Sequence, residues 1–167
     1  MAPISEISST KSEAVGTVKT YATLRVSGDR LAPERITRIL KVVPTGAYRK
    51  GGTYAAGPRN ANLIGRTGLW YFSTDGFVAS DNLEDHLYYL LGLLIPGRTD
   101  AAPLTALRKL IEREALRGDV TCFWHGRHGA KPPAVPRNVA ATLRLLPAEV
   151  ETDFDTDETE PAEAASA

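Results

Sequence analysis

Residues 18–28, VKTYATLRVSG, alternate apolar and polar side chains: Val18, Tyr21 or Ala22, Leu24 and Val26 stand between polar neighbours such as Thr23 and Arg25. A period of two predicts a strand with one dry face, closed at Ser27-Gly28. Pro33 then suits the first turn of a helix, where its missing N–H has no partner to lose. Ile36, Ile39 and Leu40 follow at helical spacing, and the helix has to end before Pro44. Leu69, Trp70, Tyr71 and Phe72 form a bulky run of high strand preference, with Asp75-Gly76 as the turn that follows.

The next helix has a start signal of its own. Asp81 is placed to cap it, with Glu84 three residues on to return a bond to the cap. Leu83, Leu87, Leu90, Leu91 and Leu94 make one stripe, which Pro96-Gly97 stops. Asp100 and Pro103 open a further helix with Leu104, Leu107, Leu110 and Ile111 on one face, ending by Gly118. DVTCFWHG, 119–126, reads as a strand with apolar groups on both faces. After the loop GRHGAKPPAVP, a short helix over 137–146 carries Val139, Leu143 and Leu146. Val150, Thr152 and Phe154 then alternate with Glu151 and Asp153 in a last strand with one wet face.

The order of strand, helix, a hairpin or loop-plus-strand, two helices, strand, helix and strand predicts an α+β fold: a two-layer sandwich with a mixed, mostly antiparallel sheet of about five strands and helices packed on one face. The unit over 119–154 is long enough for a parallel crossover. The expected organisation is a flexible leader (1–17), one domain (18–155) and a disordered acidic tail (156–167).

Charge adds an asymmetry. The chain has 20 basic and 20 acidic residues, but eight acids and no Lys or Arg lie from Ala148 onward, so residues 1–147 carry a net +8. The single Cys122 rules out an internal disulfide and suits a reducing compartment. The apolar run LYYLLGLLI falls far short of the ~20 residues that cross a bilayer, so a cytoplasmic protein with no membrane partner is expected.

The candidate chemistry lies in two stretches. Residues 44–68 hold Arg49, Lys50, Arg59 and Arg66 without an acid, interleaved with Tyr48 and Tyr54 among glycines. Gly46 and Gly51 have the first spacing of a phosphate loop, but Gly52-Thr53 follow where Lys and Ser or Thr are required. A nucleotide cradle is therefore set aside, leaving a solvated loop or a salt-sensitive nucleic-acid contact with stacking tyrosines. In CFWHGRHG, Cys122, His125 and His128 have ligand-like intervals, with Arg127 between the histidines. A structural zinc site needs four ligands, and alternation sends Cys122 and His125 to opposite faces. No metal and no cofactor is expected. Phe123 and Trp124 predict an apolar, blunted thiol rather than a nucleophile, so no catalytic residue is assigned. His86 is expected to edge the apolar stripe of its helix with one hydrogen bond, and Trp70 and Trp124 to be core.

TYATLRVSGDRLAPERITRIL, PTGAYRKGG, GLWYFSTDG, NLEDHLYYLLGLL and the closing AEVETDFD, in this order and spacing, resemble the bacterial domain-of-unknown-function family 4279 over about residues 19–155. Phe154 is the nearest equivalent of the large residue on which the family closes, and the loop GPRNANLIGR is longer than usual. The resemblance implies a stand-alone cytoplasmic α+β domain and makes Pro44-Thr45 and Arg49-Lys50-Gly51 part of its architecture. It carries over no catalytic, cofactor or metal residue. The preferred expectation is a non-catalytic module whose partner is another protein, of the kind that neutralises it as immunity proteins do. Two alternatives stand beside it: a small-ligand binder or enzyme on the His125/Arg127/His128 rim with Arg49 and Lys50 as anion contacts, and a nucleic-acid binder using the basic 44–68 segment.

Overall fold

The computed structural model describes residues 16–158; most of the expected leader and residues 159–167 of the expected tail lie outside them. Seven strands and four α-helices follow in the order β1 (Thr17–Gly28), α1 (Pro33–Leu40), β2 (Gly46–Tyr48), β3 (Thr53–Ala56), β4 (Ala61–Ile64), β5 (Gly68–Ser73), α2 (Leu83–Leu94), α3 (Ala102–Arg113), β6 (Arg117–Gly126), α4 (Arg137–Arg144) and β7 (Ala148–Thr156). Thr17 and Thr156 therefore belong to strands, one residue beyond the expected domain at each end. The main sheet has five strands in the order β2-β5-β1-β6-β7, and β3-β4 form a separate hairpin. All pairs are antiparallel except β6-β7, which the α4 crossover makes parallel.

Register sorts the side chains onto two faces. Ala22, Leu24 and Val26 of β1 lie beside Cys122, Val120 and Gly118 of β6, and Leu24 and Val26 also beside Phe72 and Trp70 of β5. These side chains are buried beneath Ile36 and Leu40 of α1, the leucines of α2, Leu107 and Ile111 of α3, and Val139 and Leu143 of α4. Ala22, not Tyr21, is thus the inward residue. Burying one such leucine or isoleucine is worth roughly 1.5–3 kcal/mol, which is why the leucine stripes decide where the helices sit.

Three local expectations change. Asn82, not Asp81, caps α2, its side chain accepting from the Glu84 N–H, while Ser80 donates to Asp85. The third helix stops at Arg113, well before Gly118, because Gly118 is already inside β6 opposite Val26 and Ala148. Strand β6 is not buried on both faces: Val120, Cys122 and Trp124 are enclosed, while Phe123 is only half-covered, stacked on Tyr21 at 4.6 Å.

The 44–68 segment is β-structure rather than a solvated loop. Strand β2 forms the edge of the main sheet against β5, and the β3-β4 ladder continues through Gly51 N–H to Gly65 O and Gly65 N–H to Gly52 O, both 2.8 Å. The turn is closed by Gly52 N–H to Arg49 O, with Gly51 at φ +79°, a conformation that suits glycine.

Candidate docking face

All four helices pack on one side, so among the described residues the other side of the five-stranded sheet carries no helix. On it Gly46, Tyr71, Arg25, Asp119 and Glu149 lie in register across all five strands. Thr23, Thr121 and Glu151 form a second row, Tyr21, Phe123 and Asp153 a third, and Lys19, His125 and Asp155 a fourth. Strands β1 and β6 thus set one aromatic pair, Tyr21 and Phe123, among polar rows, and the β7 border is a line of four carboxylates, all exposed. Alternation alone causes this: Glu149, Glu151, Asp153 and Asp155 share one face because strand side chains repeat every second residue.

The carboxylates differ in their partners. Arg117 holds Glu149 at 2.9 Å and reaches Glu151 at 3.6 Å. Asp153 and Asp155 have no cationic partner among the described residues. Arg25 Nε donates to both carboxyl oxygens of Asp119 (3.1 and 3.0 Å), and Asp119 is one of few buried charged groups at 1% exposure.

The sequence-picked residues fall into two groups that the fold keeps apart. Tyr48 and Tyr54 stack at 4.2 Å, and Tyr48 also lies over Gly65, where a Cβ would sit 2.5 Å from its ring. Burial, then the adjacent Tyr54, pushes the Tyr48 phenol up. Arg49 is paired with Glu34 and Lys50 with Asp29, so neither is a free anion contact. Lys50, followed by Thr67, holds the Asp29 carboxyl below the usual range through hydrogen bonds. Arg59 and Arg66 are exposed on and beside the hairpin. The second group, His125, Arg127 and His128, lies at the far end of β6: Arg117 is opposite Ser27 at one end and His125 opposite Lys19 at the other. Eight residues of strand separate these ends by roughly 26 Å, so Arg49 and Lys50 do not join the histidine rim. Arg127 and His128 are exposed, and His125 Nε2 is bonded to Asp157 at 2.8 Å.

Cys122 faces the core at 0% exposure, on the side opposite His125, and burial pushes its thiol up to about 11. A thiol-disulfide reagent at pH 8 is expected to leave the native protein unlabelled and to label the denatured chain fully. The unfolded thiol ionises near pH 8.5 and the folded one only near 11, so the proton is a stabilising term at neutral pH that disappears with rising pH. Relative to Cys122→Ala, the wild type should lose about 3 kcal/mol of stability between pH 8.5 and 11 in denaturant titrations.

The sequence pattern left one feature of this molecule unread and understated another. One is the open face itself, although the odd positions Lys19, Tyr21, Thr23 and Arg25 already spell it. The other is His86, which is buried at 1% exposure and makes two bonds, not one: Nδ1 to Thr74 Oγ1 at 2.6 Å and Nε2 to Ser80 O at 2.9 Å. No helix among the described residues is long and apolar enough to cross a membrane, and no cluster of three metal-ligating side chains occurs among them.

The profile of the family described as "Domain of unknown function (DUF4279)" matches residues 18–158, nearly the whole described chain. No curated protein and no solved structure matches it.

Proposed function

The chain belongs to the DUF4279 family, and from that premise we propose that it is a non-catalytic, cytoplasmic protein-binding module whose open sheet face docks a basic partner protein. One observation carries this reading: a sheet face that carries no helix among the described residues, with stacked Tyr21 and Phe123 on β1 and β6 and four exposed carboxylates along β7. Aromatic groups supply contact area at small entropic cost, and charge complementarity orients and speeds the encounter. The carboxylate row repels phosphates, the Lys19, Arg25 and Arg117 charges on this face are paired with Asp75, Asp119 and Glu149, and Arg49 and Lys50 are paired with Glu34 and Asp29, which disfavours nucleic acid. Cys122 points away into the core, on the side opposite His125, which disfavours a cysteine nucleophile on the histidine rim.

Asp153 and Asp155 are exposed and unpaired among the described residues, so Asp153→Lys/Asp155→Lys should change binding and leave the fold intact. Tagged wild type expressed in its native host is expected to co-purify one stoichiometric, basic protein, and the double variant to lose it at least tenfold. Recovery of no stoichiometric protein, or equal recovery by both, would overturn the reading.

A further inference from the structure

The edge of the sheet at β7 is paired on one side only: its neighbour is β6, and among the described residues no strand lies beyond it. In an extended strand the N–H and C=O of one residue point to one side and those of the next to the other. Asp157 N–H donates to Gly126 O at 2.9 Å, so the odd residues of β7 direct their backbone groups to β6. The even residues Val150, Thr152 and Phe154 then present theirs to the free edge. The Thr156 N–H agrees, bonding only to the neighbouring Asp155 carboxylate at 2.8 Å.

Side chains obey the same period. Beside the free N–H and C=O groups, the open-face flank is acidic (Glu149, Glu151, Asp153, Asp155). The helix-side flank is different: Val150 and Ala148 border a groove of about 430 Å³ that is completed by Ala140 and Arg144 of α4 and also lined by Glu149 and Glu151. The edge is therefore a template with two unlike sides.

We propose that β7 takes up an extended segment of the partner protein as a sixth strand, one in which lysine or arginine alternates with small apolar residues. The backbone of Val150, Thr152 and Phe154 supplies the hydrogen bonds. The carboxylate row selects basic side chains on one side, and the groove by α4 accepts valine- or alanine-sized ones on the other. A second copy of this chain is a poor occupant, because pairing β7 with β7 sets two carboxylate rows against each other. This inference rests on the docking face proposed above and specifies how the partner is held.

The probe is a nine-residue peptide alternating lysine with valine. Its controls are a peptide of the same composition with the lysines in one block and one alternating glutamate with valine. The alternating basic peptide is expected to slow hydrogen exchange at the Val150, Thr152 and Phe154 amides at least tenfold, while both controls leave them unchanged. Thr152→Pro removes one free-edge donor without touching a β6 bond, and proline is tolerated at sheet edges. It should keep the fold and weaken the peptide at least tenfold. If Thr152→Pro does not fold, the wild-type exchange pattern alone decides. Equal binding of the blocked and alternating peptides, full binding by folded Thr152→Pro, or a dimer paired through β7 would overturn strand addition. Strand addition fails alone if the native partner survives Thr152→Pro but not Asp153→Lys/Asp155→Lys; if it survives both, the docking face itself is wrong.

Discussion

Replacing His86 by alanine is expected to cost about 4 kcal/mol of folding stability, read as a lower midpoint in urea with an unchanged slope. The ring is enclosed among Thr74, Ser80 and the start of α2. A carbonyl can only accept, so Nε2 carries the hydrogen and donates to Ser80 O. Nδ1 is then the acceptor, and the Thr74 hydroxyl donates to it. Thr74 also closes the β1-β5 ladder: its N–H donates to Ala22 O at 2.9 Å, and its Oγ1 accepts from Ala22 N–H at 2.9 Å. Removing the imidazole leaves a cavity of aromatic size and an orphaned Ser80 carbonyl. The cavity contributes roughly 2–4 kcal/mol and the orphan about 1–3. The Thr74 hydroxyl recovers part of this by turning to Ala22 O, 3.2 Å away. Thr74→Val has no such escape for Ala22 N–H and should also be destabilising by about 2 kcal/mol. A loss below about 1 kcal/mol for His86→Ala would mean that water fills the site and that the ring does not anchor α2 to the strand end.

Arg25→Ala should cost about 3 kcal/mol, whereas Asp119→Ala should cost about 1. The side chains of this pair are unequally exposed, 46% for Arg25 and 2% for Asp119. Deleting the arginine strands a buried carboxylate, a change that costs roughly 3–5 kcal/mol in a fully closed site. Some water reaches Asp119 through the space Arg25 vacates, which keeps the value at the low end. Deleting the aspartate leaves a guanidinium that water already half-surrounds. The double replacement should lie close to Asp119→Ala, and the cycle measures the coupling directly. Equal losses for the two single variants would show that Asp119 is hydrated in the native state.

Much of the fold was legible because its strongest signals are local. The Leu83–Leu94 stripe, the alternation of Leu24 and Val26, and the bulky run Leu69–Phe72 each need one periodicity to be read. The stretch over 53–64 was legible only as a hairpin or a loop, because its short runs on either side of Gly57-Pro58-Arg59 do not decide between them until β2 pairs with β5 and Tyr48 lies against Tyr54. The candidate site was less legible still. Arg49, Lys50, His125, Arg127 and His128 stand out by composition, yet the first two are spent on Asp29 and Glu34, and the histidines lie at the other end of the sheet. Tyr21, Phe123 and Asp153, which meet on the open face, are 30 to 130 residues apart in the chain.

The residue pattern by itself determined the four helices, the strands β1, β5, β6 and β7, and which side chains must leave water, since those preferences act over a few neighbouring residues. Tertiary structure alone decided that β1 sits between β5 and β6 and that, among the described residues, one sheet face carries no helix and β7 ends the sheet with an unpaired side. Those outcomes depend on which distant strands share hydrogen bonds. A strand's own period fixes which residues lie together on a face, but not which face the helices cover.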